Sequence, residues 1–382
     1  MTTVVVGGGI VGLASAYHLA DAGADVVLLE RGSLGTQSTG RSAGGIRQQF
    51  STPVNVEFSR ASLPVWERFE ERFGVDIALR QTGYLFLARN SATAERFEAN
   101  VAMQRELGVD AEFIEPEAAV EHCAGLDPAP FEAATYLGTD GFADPNLAVQ
   151  GYASAARTAG VDIRTKTPVT DLVVERDAVV GVETVAGRIA ADAVVLAAGA
   201  WTSELAAKAG VDLPISPRRR QVATVEPDEP VPETDPLTID LDVGSYFRPE
   251  RGGLAIVGGH FDGTDPPVDP DGYDTSYDLP WALAALERAA AYTSYFGPET
   301  RIRDGWAGLY AVTPDHHAII DEARPGLVVA AGFSGHGFQH APATGRVVSE
   351  LVVEGSASTV DIGPLGSDRF EAGETAVERN VA

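Results

Sequence analysis

The stretch Thr3-Val4-Val5-Val6-Gly7-Gly8-Gly9-Ile10-Val11-Gly12 decides the fold. Thr3 to Val6 is a run of β-branched side chains, which suits a strand buried on both faces in a parallel sheet. The pattern Gly7-x-Gly9-x-x-Gly12 follows at once. From Ile10 to Ala22 the residues Leu13, Tyr17 and Ala20 recur at helical spacing and the pattern stops at Gly23, so the glycines open a helix. Asp25 to Leu29 reads as a second strand, ending in Glu30. The first two glycines let the chain turn sharply and let a pyrophosphate approach the backbone, while the third lets helix and strand pack closely. The phosphate charge then rests on the helix N-terminus, and Glu30 stands where it can accept hydrogen bonds from adenosine ribose hydroxyls. A bare glycine triplet is a weak signal; one framed by strand, helix, strand and acid is a strong one.

Beyond Glu30 lies a loop rich in Gly, Ser and Thr, from Gly32 to about Gln49, holding Ser38-Thr39-Gly40-Arg41-Ser42 and Gly44-Gly45-Ile46-Arg47. Loops of that length inside compact domains are usually functional. Thr52-Pro53 starts a helix whose apolar face is Val54, Phe58, Val65, Phe69 and Phe73, kinked at Pro64 and closed by Gly74. The pattern then predicts a strand at Tyr84–Ala88, a helix from Ala92 to Leu107, a short helix over 115–123, a strand over 133–137 and a helix from Asp144-Pro145 to Ala159. Short alternating strands, with a tight turn at Arg176-Asp177, lead to the apolar run Ala193–Gly199. A second strand-rich region opens at Arg218–Val225, is broken by the acidic, proline-rich loop Glu226–Pro236, and continues with Tyr246–Arg248, Leu254–Val257 and Gly305–Ala311 around a helix at Pro280–Phe296. Leu327–Ala330 returns to a buried strand, followed by Gly332-Phe333-Ser334-Gly335-His336-Gly337-Phe338-Gln339 and a last helix to about Val353. The polar tail after Gly355 is expected to be loosely held.

At 382 residues the chain has room for two domains sharing a large buried core. Its longest apolar run, Ala193 to Ala200, is too short to cross a bilayer, and no signal-peptide pattern precedes the first strand. Cys123 is the sole cysteine, which rules out disulfides and cysteine metal clusters and favours a cytoplasmic setting. His260, His316 and His317 have no third ligand at metal spacing, so no metal is expected. Acids outnumber bases 55 to 28, for a net charge of −27, and Lys166 and Lys208 are the only lysines. That field repels nucleic acid and anionic membranes.

Taken together, the opening unit with Glu30-Arg31, the strand Val194–Gly199 before Ala200-Trp201, Gly305-Trp306-Ala307-Gly308-Leu309-Tyr310 with Thr313-Pro314-Asp315, and Gly332–Gln339 resemble the D-amino-acid oxidase family of FAD enzymes. The likeness is greatest to its sarcosine oxidase β-subunit and sarcosine or proline dehydrogenase branch. The resemblance implies an α/β fold: a Rossmann-like FAD domain in segments 1–82, 144–217 and 313–362, a mixed-sheet α+β substrate domain in 83–143 and 218–312, and a tail over 363–382. A nicotinamide enzyme would need only the first glycine-ended strand; the second, at Ala197-Ala198-Gly199, is similar to the family's second FAD contact. The implied cofactor residues are Gly7, Gly9, Ile10, Val11, Gly12, Glu30, Arg31, Ser38, Arg41, Ser42, Val169, Ala198, Gly199, Trp201, Gly332, Gly335, His336, Gly337, Phe338 and Gln339.

On the substrate side the resemblance implies Arg47, which pairs with a carboxylate, and Tyr246, His336 and Gln339. Tyr246 could equally be an interior strand tyrosine, and His336 a satisfied turn histidine. Some relatives attach flavin covalently through a cysteine near Gly308 or a histidine near Ser42; with neither present, the FAD is expected to be non-covalent. A lysine often stands where this chain has Gln339, and another lies over the flavin in oxidases; without them substrate identity stays open and a dehydrogenase is favoured. The implied reaction moves a hydride from the carbon beside the nitrogen of a small secondary amine or amino acid to flavin N5, giving an imine that hydrolyses, with electrons passing to an acceptor that is not fixed by the sequence. Oxidation of a 2-hydroxy acid and a non-catalytic flavin-bound assembly role are the alternatives, and partner subunits stay open.

Because the acids are scattered rather than gathered in a tail, and lysine is replaced by arginine, the charge pattern predicts a halophilic protein whose self-repulsion is screened by salt, with a Debye length of about 3 Å at 1 M. The melting temperature is therefore expected to rise between dilute buffer and molar salt in a thermal scan.

Overall fold

The computed structural model describes residues 1–261, 264–373 and 376–381. The remaining positions, two within the 218–312 segment and three within the 363–382 tail, lie outside the described residues.

Strand Thr2–Val6 runs through the middle of a six-stranded sheet, in the order Ile319–Arg324, Leu327–Ala331, Ala193–Leu196, Thr2–Val6, Asp25–Leu29, Asp162–Arg164. Every pairing is parallel except that of Ile319–Arg324 with Leu327–Ala331. The central strands are buried on both faces, as their unbroken apolar composition requires. Helices Ile10–Asp21 and Gly337–Glu354 lie against one another over this sheet, and their approach is set by Gly345, where an added Cβ would stand 2.6 Å from the carbonyl carbon of Ala14.

A second, eight-stranded sheet has the order Arg301–Val312, Ser216–Glu226, Ala255–Gly259, Ser245–Pro249, Leu237–Asp240, Tyr84–Ala88, Ala133–Leu137, Glu112–Ile114. Only the Leu237–Asp240 to Tyr84–Ala88 pairing is parallel. A three-stranded antiparallel sheet, Val169–Glu175, Ala178–Thr184 and Gly187–Ala190, turns at Arg176 and Asp177, whose φ angles of 49° and 68° give the left-handed backbone of a tight hairpin.

Several expectations are corrected. The helix opened by Thr52-Pro53 continues through Pro64 rather than running unbroken to Gly74. It runs as Pro53–Glu67, breaks at Arg68 (φ −110°, ψ 26°) and resumes as Phe69–Phe73; the Arg68 Nε donates to the Pro64 carbonyl at 3.2 Å, so the break falls one turn later. The helix expected to reach Phe296 stops at Ala290. Beyond it Tyr292 O accepts from Asp127 N (2.9 Å) and Ser294 N donates to Gly125 O (2.8 Å), so the chain leaves the helix to form a bridge and buries Tyr292, Tyr295 and Phe296 in the second core. Leu237–Asp240 and Ile319–Arg324 are strands that the pattern missed. The described residues after Gly355 include held ones where a loose tail was expected: Val360 and Leu365 are buried, Arg369 pairs with the buried Asp315 at 2.7 Å, and Glu378 is fully buried.

Adding a methyl group at position 345 tests the helix contact. Better helix propensity would favour Gly345→Ala by up to about 1 kcal/mol, but a clash against main-chain atoms costs about 1–3 kcal/mol. A net loss of stability in chemical denaturation is the expected outcome.

Candidate functional site

The carboxyl ends of the neighbouring parallel strands Thr2–Val6, Ala193–Leu196 and Leu327–Ala331 lie side by side, the usual place for a ligand in this architecture. Gly7, with φ at 111°, makes the crossing possible: a Cβ there would sit 2.4 Å from the Ala197 carbonyl oxygen. Its N–H donates to Leu29 O and Ala197 N–H donates to Val6 O, both at 2.9 Å, so the three strand ends are tied together at this point. Gly12 serves packing: a Cβ would lie 2.0 Å from Gly7 O, and the residue does not face the cavity. At Gly9 an added Cβ would meet only Thr39 Oγ1, at 3.3 Å, so that face is open.

From this junction a cavity of about 330 Å³ extends along the strand ends. One end is bounded by Glu30, Arg31, Val169, Ala198, Gly199 and Trp201. Glu30 accepts from Gly8 N and Gly32 N, both at 2.7 Å, which fixes its carboxylate at the edge of the glycine turn. Arg31 lies over the Trp201 ring at 4.2 Å, and both donate to Asp271 Oδ1. Gly9, Ile10, Val11, Ser38, Arg41 and Ser42 line the middle. Arg41 orders the loop, donating to Thr36 O at 2.5 Å and to Gln37 Oε1 at 3.1 Å, while its own carbonyl accepts from Trp306 Nε1 at 2.9 Å. The far end is bounded by Gly332, Gly335, Gly337, Phe338 and Tyr246. The helices starting at Ile10 and Gly337 both open toward this space, and neither N-cap residue closes its helix with a side chain. Two N-termini presenting partial positive charge suit an anion at one end and an electron-rich carbonyl edge at the other.

A long cavity with an acid at one end, bare glycine backbone in the middle and a helix N-terminus at the other end fits an extended dinucleotide such as FAD. Glu30, the Gly7–Val11 turn and the Gly332–Phe338 segment would hold it.

A smaller cavity of about 90 Å³ is lined by Ser42, Arg47, Tyr84, Tyr246, Tyr310, His336, Gln339, Asn380 and other residues. Arg47 is 7% exposed. Its Nη1 donates to Gln49 O at 2.6 Å and its Nη2 to Asn380 O, and its guanidinium lies 3.9 Å from the Phe50 ring centre. No carboxylate lies within ion-pair distance of it among the described residues, in contrast to the buried Arg248, which pairs with Glu250 at 3.1 Å. Burial draws the Arg47 proton affinity down, though such a group stays charged throughout the physiological range. Gln339 acts on Arg47 rather than beside it, its Oε1 accepting from Arg47 N at 2.7 Å. Burial raises Tyr84, Tyr246 and Tyr310 above the ordinary phenol value, and it holds His336 well below the ordinary imidazole value, so all four are neutral at pH 7. His336 Nε2 is buried and without a hydrogen-bond partner among the described residues.

The sequence reading brought Arg47, Tyr246, His336 and Gln339 to one place, with Tyr246 at the junction of the two cavities. It missed Tyr84 and Tyr310, which read as strand residues, and Asn380, in the supposed loose tail. Asp140 was missed too. It is fully buried behind the Arg47 loop, accepting from Gln48 N at 2.8 Å and Gln49 Nε2 at 3.2 Å. No local motif marks these positions; strand pairings bring in Tyr84 and Tyr310, and hydrogen bonds far along the chain bring in Asn380 and Asp140.

Comparison with known proteins follows the same lines. A family profile described as FAD dependent oxidoreductase matches residues 2–351. FAD-dependent oxidoreductase domain-containing protein 1 of Xenopus laevis is 31% identical, over 99% of this chain and 84% of that protein. The sarcosine oxidase subunit beta of Rhizobium meliloti is 30% identical, over 97% of this chain and 88% of that one. The crystal structure of L-proline dehydrogenase from P. horikoshii superposes with a TM-score of 0.89 at 33% identity, covering 98% of each chain.

Asp140 provides a pH-dependent test of this geometry. Burial pushes its carboxyl up to about 7, against the lowering effect of the Gln49 and Gln48 hydrogen bonds and the Arg47 charge. The folded protein thus binds this proton more tightly than the unfolded chain, whose aspartates titrate near about 4. Its contribution is fully present below that value and is lost as pH rises through about 7. The stability of the wild type relative to Asp140→Asn is expected to fall across this window, by at most about 1.4 kcal/mol per pH unit, and to level off above it in denaturant titrations.

Proposed function

The chain belongs to the FAD dependent oxidoreductase family, and on that premise we propose that it oxidises a small amine or amino acid carrying a carboxylate. The chemistry that FAD supplies when bound is acceptance of a hydride from the carbon beside the substrate nitrogen, leaving an imine that water hydrolyses. Arg47 binds the carboxylate, and the neutral tyrosines Tyr84, Tyr246 and Tyr310 bound the space around the reacting carbon. His336 offers a neutral, unpartnered nitrogen to the substrate. The residues lining the smaller cavity include no carboxylate, so the chain orients a C–H bond rather than supplying a strong base.

One observation carries this reading: a buried, permanent cation, bonded to two neutral carbonyls and with no carboxylate within ion-pair distance, lines a cavity that has no acidic side chain among its described lining residues. Glu378 offsets part of its charge from farther off, and a substrate carboxylate would add a direct ion pair through paired N–H donors. The small volume favours substrates of sarcosine or proline size. Arg47 would serve a 2-hydroxy acid equally well, but relatives are named for amines and amino acids, sarcosine and proline among them, which favours the amine. A flavin-bound scaffold would have no use for a buried arginine lining the smaller cavity.

Other parts of the reading follow from it. The FAD segments are 1–82, 144–217 and 313–362, and the substrate segments 83–143 and 218–312. Neither cavity is lined by lysine, which supports a dehydrogenase that passes electrons to a separate acceptor rather than to oxygen. The likeness to a sarcosine oxidase β subunit makes partner subunits part of the proposal. No helix of the described residues is long and apolar enough to cross a membrane, and the buried lone Cys123 is in keeping with a cytoplasmic setting. The FAD is held non-covalently, since Gly308 and Ser42 offer no attachment chemistry.

Anaerobic mixing of the flavin-loaded protein with sarcosine, proline, glycine and D-amino acids, alongside 2-hydroxyglutarate, is expected to bleach the flavin with an amine and not with the hydroxy acid. If no amine bleaches it, the reading fails. Acid precipitation is expected to release all the flavin into the supernatant. Arg47→Gln is expected to raise KM for the bleaching substrate by about 100-fold, equivalent to about 3 kcal/mol of lost charge-assisted binding, as read from steady-state dye reduction.

A further inference from the structure

We propose that residues 376–381 form the wall of the substrate cavity that positions Arg47, with Glu378 as the positioning residue that locks this wall in place. The inference rests on the reading of Arg47 as the carboxylate anchor and extends it to a segment far away in sequence.

The segment meets Arg47 directly. Asn380 O accepts from Arg47 Nη2, and Asn380 Nδ2 donates at 3.1 Å to Gln49 O, the same carbonyl that accepts from Arg47 Nη1. Asn380 and Val381 both line the smaller cavity. Of the five N–H bonds on a guanidinium, these two carbonyls occupy one on each Nη and fix the plane of the fork, leaving the others to a carboxylate.

Glu378 holds the wall. It is 0% exposed, whereas its neighbour Val377 is 38% exposed, so the segment turns its acid inward and its apolar residue outward. That inversion means polar contacts, not apolar burial, place the segment. The Glu378 carboxylate accepts from Ser51 N (2.9 Å), Ser51 Oγ (2.6 Å), Thr52 Oγ1 (2.7 Å), Asn55 Nδ2 (3.1 Å) and Asn380 N (3.0 Å). Its charge also faces Arg47, and those hydrogen bonds with that charge outweigh burial, holding the carboxyl below its ordinary value. The main chain adds Glu378 N to Asp315 O at 3.0 Å and Arg379 N to Ser51 Oγ at 2.8 Å, while Arg369 steadies Asp315 from behind. Ser51 and Thr52 stand four and five residues from Arg47 at the start of the helix Pro53–Glu67. Glu378 therefore couples the wall to the loop that carries Arg47.

The test uses the full-length, flavin-loaded protein. Acetate and the bulkier trimethylacetate are titrated while the flavin absorption band is followed, giving a Kd for each. In Glu378→Ala the acetate Kd is expected to rise at least about tenfold, as for a lost charge-assisted contact, while trimethylacetate loses less because the wall has receded. The acetate preference therefore narrows. A purely structural role would weaken both probes equally; equal weakening, or no change in either, overturns the proposal. Arg47→Gln separates the two claims. If it leaves the acetate Kd unchanged, the anchor reading itself fails; if it abolishes the response while Glu378→Ala matches wild type, only the wall is refuted. Should Glu378→Ala fail to fold or to hold flavin, Ser51→Ala removes one hydroxyl from the same lock. It is expected to narrow the acetate preference by about threefold, and an unchanged preference refutes the proposal.

Discussion

A guanidinium cannot shed its charge inside a protein, so burying one commits the surrounding structure to satisfying it. Arg47 imposes that constraint on four distant parts of this chain. The long loop after the first βαβ unit delivers it, Gln49 and Asn380 offer carbonyls, Gln339 grips its backbone, and the rings of Phe50 and Phe86 cover its face at 3.9 and 5.3 Å. The groups bonded to it are neutral, and Glu378 offsets part of its charge from farther off. On the proposed function the direct ion pair is left to the substrate carboxylate.

The two sheets divide the remaining work. The six-stranded sheet, through the close passage of Gly7 by Ala197, keeps its strand ends near enough together to border one elongated cavity. The eight-stranded sheet contributes Tyr84 to the smaller cavity and Tyr246 and Tyr310 to both. Burial keeps these phenols neutral. Asp140 and Glu378 lie just behind the Arg47 loop and show two fates for a buried acid. Asp140, with its few donors, is driven toward the protonated form, whereas Glu378, with many, keeps its charge.

Much of this was legible in the sequence wherever one segment carries its own signal. The strand–glycine–helix–strand opening, the strand Tyr84–Ala88 and the strand Ala133–Leu137 have the bounds that their apolar runs predict. The gathering of Arg47, Tyr246, His336 and Gln339 followed from a family pattern. What stayed hidden depends on partners far along the chain. Leu237–Asp240 is too short to announce itself and becomes a strand by pairing with Tyr84–Ala88. Glu378 reads as one more surface acid in a strongly acidic protein until Ser51, Thr52 and Asn55 are seen around it. Gln339, where the resemblance implies a lysine in many relatives, accepts instead from the main chain of Arg47.

The central claim, that a single buried cation selects the substrate through its carboxylate, is tested most directly by pairing each amino acid that reduces the flavin with its primary amide. The two molecules share the reacting C–H bond and nearly the same volume and differ in the charge offered to Arg47. The account predicts that under anaerobic conditions the free acid bleaches the flavin while the amide does so with a specificity lower by about 100-fold or more. Equal rates and affinities for acid and amide would contradict it.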